Sequence, residues 1–238
     1  MDIFNSPGIY RSKLGKKIIS FLNNNGVKVI VPREQGCCGA PVFLGAGDFI
    51  TGRNIADKNA TAFQNVDYII TDCATCASSI KDYVRFLADT EERNKTYTDL
   101  GNKIKDITEF LVDVLKLPPS AYQVADEFKG KRVTWHEPCH LGKHLEIKEQ
   151  PKKILKSLSD ITFIEMPDAD RCCGMGGSFS IKYYDLSQKI AEEKISDIAS
   201  THADIVVTDC PGCQIQLIDS LQRHKMPQKV MHIMDLLK

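Results

Sequence analysis

Ala203-Asp204-Ile205-Val206-Val207-Thr208-Asp209-Cys210-Pro211-Gly212-Cys213 reads as a short apolar strand that hands the chain to a Cys-x-x-Cys pair, and the sequence contains this arrangement twice. The other copy is Val66-Asp67-Tyr68-Ile69-Ile70-Thr71-Asp72-Cys73-Ala74-Thr75-Cys76, which passes through the same Thr-Asp-Cys. Each copy is preceded by two adjacent cysteines and a glycine, Cys172-Cys173-Gly174 in one and Cys37-Cys38-Gly39 in the other. Further out, Pro167 and Pro32 each stop a β-branched run, residues 161–165 and 27–31. The step from Pro32 to Pro167 is 135 positions, from Cys37 to Cys172 also 135, and from Cys73 to Cys210 it is 137. A near-constant offset over such a span is an internal repeat. Strand-like runs alternating with helical periodicity specify an α/β fold with parallel sheets. The expected architecture is therefore two repeated lobes, each a small parallel sheet flanked by helices. The cysteines are expected at the C-terminal ends of the strands, where sheets of this kind bind their ligands.

Helices are expected where Leu14, Ile18, Ile19 and Leu22 form one stripe after Ser6-Pro7-Gly8, and over residues 49–63, 151–158 and 179–198. Residues 78–129 read as mostly helical. Within them lies 104–117, where Ile107, Phe110, Leu111, Val114 and Leu115 share a face. Pro118-Pro119-Ser120 cannot continue that helix, which places the boundary there. Residues 1–117 form the first lobe and a helical connector, and 118–238 the second, complete lobe. The second lobe opens with the strand Arg132–Trp135 leading to Cys139. The repeat offset carries the counterparts of both to about position 4 or before Met1. The first lobe is thus expected to lack its leading strand and leading cysteine, to have a sheet one strand short with an exposed edge, and to be a degenerate copy or the remainder of a longer native chain.

The totals narrow the class. A chain of 238 residues with 42% hydrophobic and 26% charged residues has ordinary globular composition. Lys plus Arg and Asp plus Glu balance at 31 each, so no global field draws in nucleic acid. The start lacks a secretory signal and no stretch has the length of a membrane helix, which points to the cytoplasm. Nine cysteines in a reducing compartment favour metal or redox chemistry over a disulfide framework.

All nine belong to one of the two copies: Cys37, Cys38, Cys73 and Cys76 in the first, Cys139, Cys172, Cys173, Cys210 and Cys213 in the second. Five thiols are too many for one tetrahedral zinc. Adjacent cysteines point different ways along the backbone and suit different metals of a cluster, and soft thiolates select iron–sulfide. Gly174, Gly176 and Gly177 permit close backbone approach and N–H donation to cluster sulfur, or simply a tight turn before the next helix. Arg171 either offsets the negative charge of a thiolate-bound cluster or is solvated. His136, His140 and His144 are spaced by four around Cys139, but Pro138 spoils a helix there, which favours hydrogen bonding or proton carriage over ligation. His202, His224 and His232 read as surface or packing residues. Ser178 lacks the Gly-x-Ser-x-Gly context of a nucleophile.

Taken together, these residues resemble the cysteine-rich CCG-domain family. That family occurs in one of the subunits of heterodisulfide reductase and in the iron–sulfur subunits of glycolate, lactate and anaerobic glycerol-3-phosphate dehydrogenases. Its pattern of one Cys, then Cys-Cys-Gly, then Cys-x-x-Cys is met by Cys139, Cys172, Cys173, Gly174, Cys210 and Cys213. The ending Val230-Met231-His232-Ile233-Met234-Asp235-Leu236-Leu237 looks like the family's as well. The resemblance implies a [4Fe–4S]-type cluster on the second set of thiols. The first copy departs from the pattern by lacking its leading cysteine, so a firmly bound cluster is expected on the second set and a labile or absent one on the first. The resemblance further implies an electron-transfer subunit of a 2-hydroxy-acid oxidising complex of the glycolate or lactate type. The chain has no flavin or nicotinamide fingerprint and no ferredoxin run of its own. It is thus expected to act with flavin- or ferredoxin-type redox subunits, and to reach a membrane only peripherally, through them. Two alternatives stand beside this one. The first is a heterodisulfide-reductase-like catalytic subunit that reduces a disulfide at a non-cubane cluster, and the second is a zinc-binding structural module.

Overall fold

The computed structural model describes residues 2–4 and 12–238. The chain divides into two compact units, Met1–Phe110 and Leu111–Lys238. The division falls seven residues before the expected break at Pro118.

In the first unit the order is β1 (Asp2–Phe4), α1 (Ser12–Asn24), α2 (Phe49–Ala62), β2 (Ile69–Thr71), α3 (Ala74–Lys81), α4 (Tyr83–Phe86), α5 (Glu91–Lys103), β3 (Ile104–Asp106) and the single turn α6 (Ile107–Glu109). The three strands pair in parallel in the order β1-β2-β3. The central strand β2 is buried at every position, as expected of a parallel strand covered on both faces. Leu14, Ile18 and Leu22, on one stripe of α1, are buried as well.

Three expectations change here. The leading strand is present: β1 pairs Asp2 with Ile69 as the second unit pairs Thr134 with Val206. From Asp2 to Cys37 is 35 positions and from Thr134 to Cys172 is 38, so a segment three residues shorter displaced the strand from where the offset put it. The strand expected at 27–31 is reduced to one bridging residue, Ile30, and both Ile30 and Val31 lie exposed. Finally, residues 104–106 are the strand β3, paired with β2, and not the start of a helix. Among the described residues the first sheet is indeed one strand shorter than the second, but the strand it lacks is a different one. The opening Ser6-Pro7-Gly8 lies outside the described residues.

The second unit runs β4 (Arg132–Trp135), α7 (Glu149–Ser157), β5 (Thr162–Ile164), α8 (Phe179–Lys182), α9 (Tyr184–Thr201), β6 (Ile205–Thr208), α10 (Pro211–Arg223) and β7 (Lys229–His232). Its four strands are all parallel, in the order β5-β4-β6-β7. The three strands β4, β6 and β7 repeat the order of β1, β2 and β3. β6 is wholly buried, and Val133, Trp135, Val206, Val207, Leu217 and Ile233 are among the buried apolar residues of this lobe. No helix among the described residues is long and apolar enough to cross a membrane.

Candidate metal centre

β4 and β6 are neighbours in the sheet, so the segments leaving them run side by side. The amide of His136 donates to Val207 O at 2.9 Å, and that of Glu137 to Ala169 O at 2.9 Å. The segment carrying Cys139 is thereby tied to β6 and to the segment that leads into Cys172. Cys210 stands at the N-cap of α10 and Cys213 in its first turn.

These constraints make one interacting set of the five thiols. Cys172 and Cys213 both hydrogen-bond to Cys173 and lower its thiol pKa far below the ordinary range, helped by the nearby imidazole of His136. Cys172 is raised, first by that bond and then by burial. Cys213 is raised by its bonds to Cys173 and Cys210. Cys139 is raised by burial and then by the charges of Cys210 and Cys173. Cys173 is therefore the hub on which the negative charge settles. His136, 1% exposed, joins it: its ring, Cys173 and Cys213 place ligand atoms within 4.8 Å of one another. Neither ring nitrogen of His136 is satisfied by a hydrogen bond of ordinary geometry, although the ring lies beside Cys173. A buried polar group left in that state costs about 1–3 kcal/mol. Five thiols, one of them strongly acidic, and an imidazole turned among them fit a thiolate-bound metal group.

Backbone geometry serves the same pair. The amide of Gly174 donates to Cys172 Sγ at 3.3 Å. Gly174 has φ +92°, and a Cβ there would lie 2.5 Å from Ser187 O, so only glycine fits between the cysteine turn and α9. Gly176 and Gly177 also have positive φ and are exposed.

The first lobe repeats the logic with four thiols. Cys37 and Cys76 hydrogen-bond to Cys38, which is lowered to about 3; Cys37 is raised by its bond to Cys38. Cys76 is raised by its bonds to Cys38 and Cys73. The amide of Gly39 donates to Cys37 Sγ at 3.4 Å, and that of Cys76 to Cys73 Sγ at 3.4 Å. Tyr83 donates its hydroxyl to Cys38 O at 2.7 Å. No cysteine precedes Cys37 in the sequence.

Arg171 stands among carboxylates. Its guanidinium is engaged by Asp168 at 2.5 Å, by Asp197 at 3.0 Å and by Glu193, and so is committed to carboxylates rather than thiols. Of the three histidines around Cys139, only His136 is buried. His140 Nδ1 lies 3.9 Å from Cys139 Sγ at the start of a π-helical turn, His140–His144, and His144 is exposed. His202 and His224 stand at the C-caps of α9 and α10.

His232, read as surface or packing, is fully buried. Its Nδ1 accepts the amide of Met234 at 3.1 Å, which places the ring proton on Nε2, donated to Asp209 Oδ1 at 2.5 Å. Asp209 directly precedes Cys210. The signal was present in the repeated Thr-Asp-Cys, in which the aspartate stands both times beside a cysteine.

Residues 5–81 and 133–218 match the CCG cysteine-rich domain, one match in each lobe. The chain belongs to the CCG cysteine-rich domain family. It is 32% identical over 230 residues to a lactate utilization protein A of Geobacillus sp. (strain WCH70), covering 96% of this chain and 94% of that one. It is 33% identical over 224 residues to the lactate utilization protein A of Oceanobacillus iheyensis, covering 94% and 89%. An uncharacterized iron-sulfur protein of Methanococcus maripaludis is 34% identical over 233 residues, covering 94% of this chain and 43% of its own length. The likeness to a solved glutamate racemase of Francisella tularensis has a TM-score of 0.39 at 13% identity, covering 99% of this chain and 76% of that one. It is too weak to bear on function.

Proposed function

We propose that this CCG-family chain is the iron–sulfur electron-transfer subunit of a lactate-utilising system, working between flavin- or ferredoxin-type partner subunits in the cytoplasm. The observation that carries the reading is the approach of Cys172, Cys213 and the imidazole of His136 to Cys173, with Cys210 bonded to Cys213 and Cys139 feeling the charges of Cys210 and Cys173. Relatives named for lactate utilization, aligned over nearly the whole chain, supply the substrate.

The five thiols would hold a [4Fe–4S]-type group, which stores and releases one electron at a time. The chain's own residues prepare the place for it. Two neighbouring thiols hydrogen-bond to Cys173 and favour its thiolate form, the form that ligates a metal. The Gly174 amide donates toward Cys172 Sγ, and donors of this kind raise a cluster's affinity for electrons. His136 is placed to hold or pass a proton beside the buried sulfurs. Cys172, Gly176 and Gly177 are exposed, which leaves this edge open to a redox partner. The first lobe, with four thiols, would hold a more labile group or none.

The test is anaerobic purification of the native assembly, followed by addition of lactate while the visible absorption of the chain is recorded. Bleaching by lactate in the presence of the co-purifying subunits is the expected result. A loaded chain that lactate and those subunits leave oxidised, but that turns over a disulfide with an artificial donor, would replace this reading with the disulfide-reducing one.

A further inference from the structure

The step of 135 that carries Cys37 onto Cys172 also carries Asn59 onto Lys194. Both residues lie on the long helix that follows the Cys-Cys-Gly turn, α2 in the first lobe and α9 in the second, and both are fully buried. They do the same local work by different chemistry. The Asn59 amide accepts the N–H of Gly36 at 2.9 Å and donates to Cys37 O at 3.0 Å. The Lys194 ammonium donates to Asp168 O at 2.7 Å and to Ala169 O at 3.2 Å, with Met166 Sδ at 3.6 Å. Each pins the segment entering its cysteine pair to the helix behind it.

A neutral amide suffices for that pinning in the first lobe. Burying an ammonium is costly unless it is compensated, so pinning alone does not account for a lysine in the second. The carboxylate of Asp197 is 4.0 Å away, and Arg171 engages it at 3.0 Å. Burial pulls the Lys194 ammonium down to about 8, with Arg171 opposing its charge and Asp197 and Asp170 supporting it, so that the charge is only partly neutralised by carboxylates. Its bonds to Asp168 O and Ala169 O hold it to the backbone four and three residues before Cys172, with Cys173 within range of its field.

We propose that Lys194 is a positioning residue whose buried charge, behind the Cys172-Cys173 pair, raises the electron affinity of the second-lobe centre, while Asn59 leaves the first lobe without that bias. The inference rests on the reading that the second set of thiols holds an iron–sulfur group. A cation close behind a thiolate set favours its more negative, reduced state.

Full-length chain, reconstituted anaerobically with iron and sulfide, tests this by redox titration of its visible absorption in three forms: unsubstituted, Lys194→Gln and Lys194→Arg. Glutamine keeps an amide donor and removes the charge, whereas arginine keeps the charge. The expected result is that Lys194→Gln lowers the ratio of reduced to oxidised centre about tenfold at a fixed potential, a downward shift of about 59 mV for a one-electron couple. Lys194→Arg is expected to stay near the unsubstituted chain. Failure of Lys194→Gln to take up iron and sulfide, with uptake by Lys194→Arg intact, also supports a role for the charge. A fully loaded Lys194→Gln with unaltered potential overturns the inference, and so does equal loss of loading in both variants, which marks a packing role. Failure of the unsubstituted chain to load defeats the iron–sulfur reading itself, and the inference with it.

Discussion

Cys173 sits where two thiols and an imidazole meet, and its neighbours' identities follow from the spacing of the cysteines along the chain. That part of the site was legible because thiols are rare and all nine fall into two copies of one pattern. The charged and polar residues around them were less legible. Arg171 finds Glu193 and Asp197, and His232 finds Asp209, only once α9 and β7 have packed against the cysteine turns. Such partners stand 22 to 26 positions away with no periodicity to announce them. Two substitutions test the residue-level account. Gly174→Ala forces a Cβ to within 2.5 Å of Ser187 O at φ +92°. It is expected to destabilise the chain by about 1–3 kcal/mol in urea unfolding, with loss of iron retention. His232→Ala leaves the fully buried Asp209 without its donor and removes a helix cap. The expected loss is about 3 kcal/mol in the same measurement. An unchanged unfolding midpoint in either case would show that the neighbourhood relaxes more freely than its packing implies.

The strands and helices were legible where burial is deep and misjudged where it is shallow or shared. The wholly buried β2 and β6 read clearly as apolar β-branched runs. Residues 27–31 carry the same residue types but are half-buried at best, and without deep burial they form one bridge instead of a strand. Residues 104–106 were absorbed into a helical pattern because Ile107, Phe110 and Leu111 continue it. Yet Ile104-Lys105-Asp106-Ile107 stands to its sheet as Val230-Met231-His232-Ile233 does to the other. In both, the last residue of the strand caps the turn that follows: Asp106 Oδ1 accepts the amide of Thr108 at 2.8 Å, as His232 Nδ1 accepts that of Met234. The first lobe also has a brace of its own. Tyr83 on α4 is fully buried and reaches Cys38 O and the Asn59 amide. Tyr83→Phe removes both bonds and leaves a buried carbonyl short of a donor, at a cost of about 1–3 kcal/mol. Equilibrium unfolding should show that loss while the iron bound by the second lobe is retained. Equal loss of second-lobe iron would mean that the two thiol sets do not act independently.

Across the whole chain, the repeat explains both the likeness of the lobes and their difference. Each has a parallel sheet in which the strand delivering a Cys-x-x-Cys pair is central, and each has a cysteine hub made acidic by its neighbours. The second adds Cys139, His136 and Lys194, so that it has five thiols, an imidazole beside the hub and a buried cation on the helix behind. The first brings four thiols and a neutral amide. The loading of the chain should therefore be unequal. The most direct measurement is iron and acid-labile sulfide analysis, with the visible spectrum, of anaerobically prepared chain beside its Cys172→Ser and Cys37→Ser variants. A coloured chain that loses most of its iron and sulfide on Cys172→Ser and little on Cys37→Ser is the expected result. A colourless chain with stoichiometric zinc that iron and sulfide do not reconstitute, or equal and additive losses from the two substitutions, would contradict it.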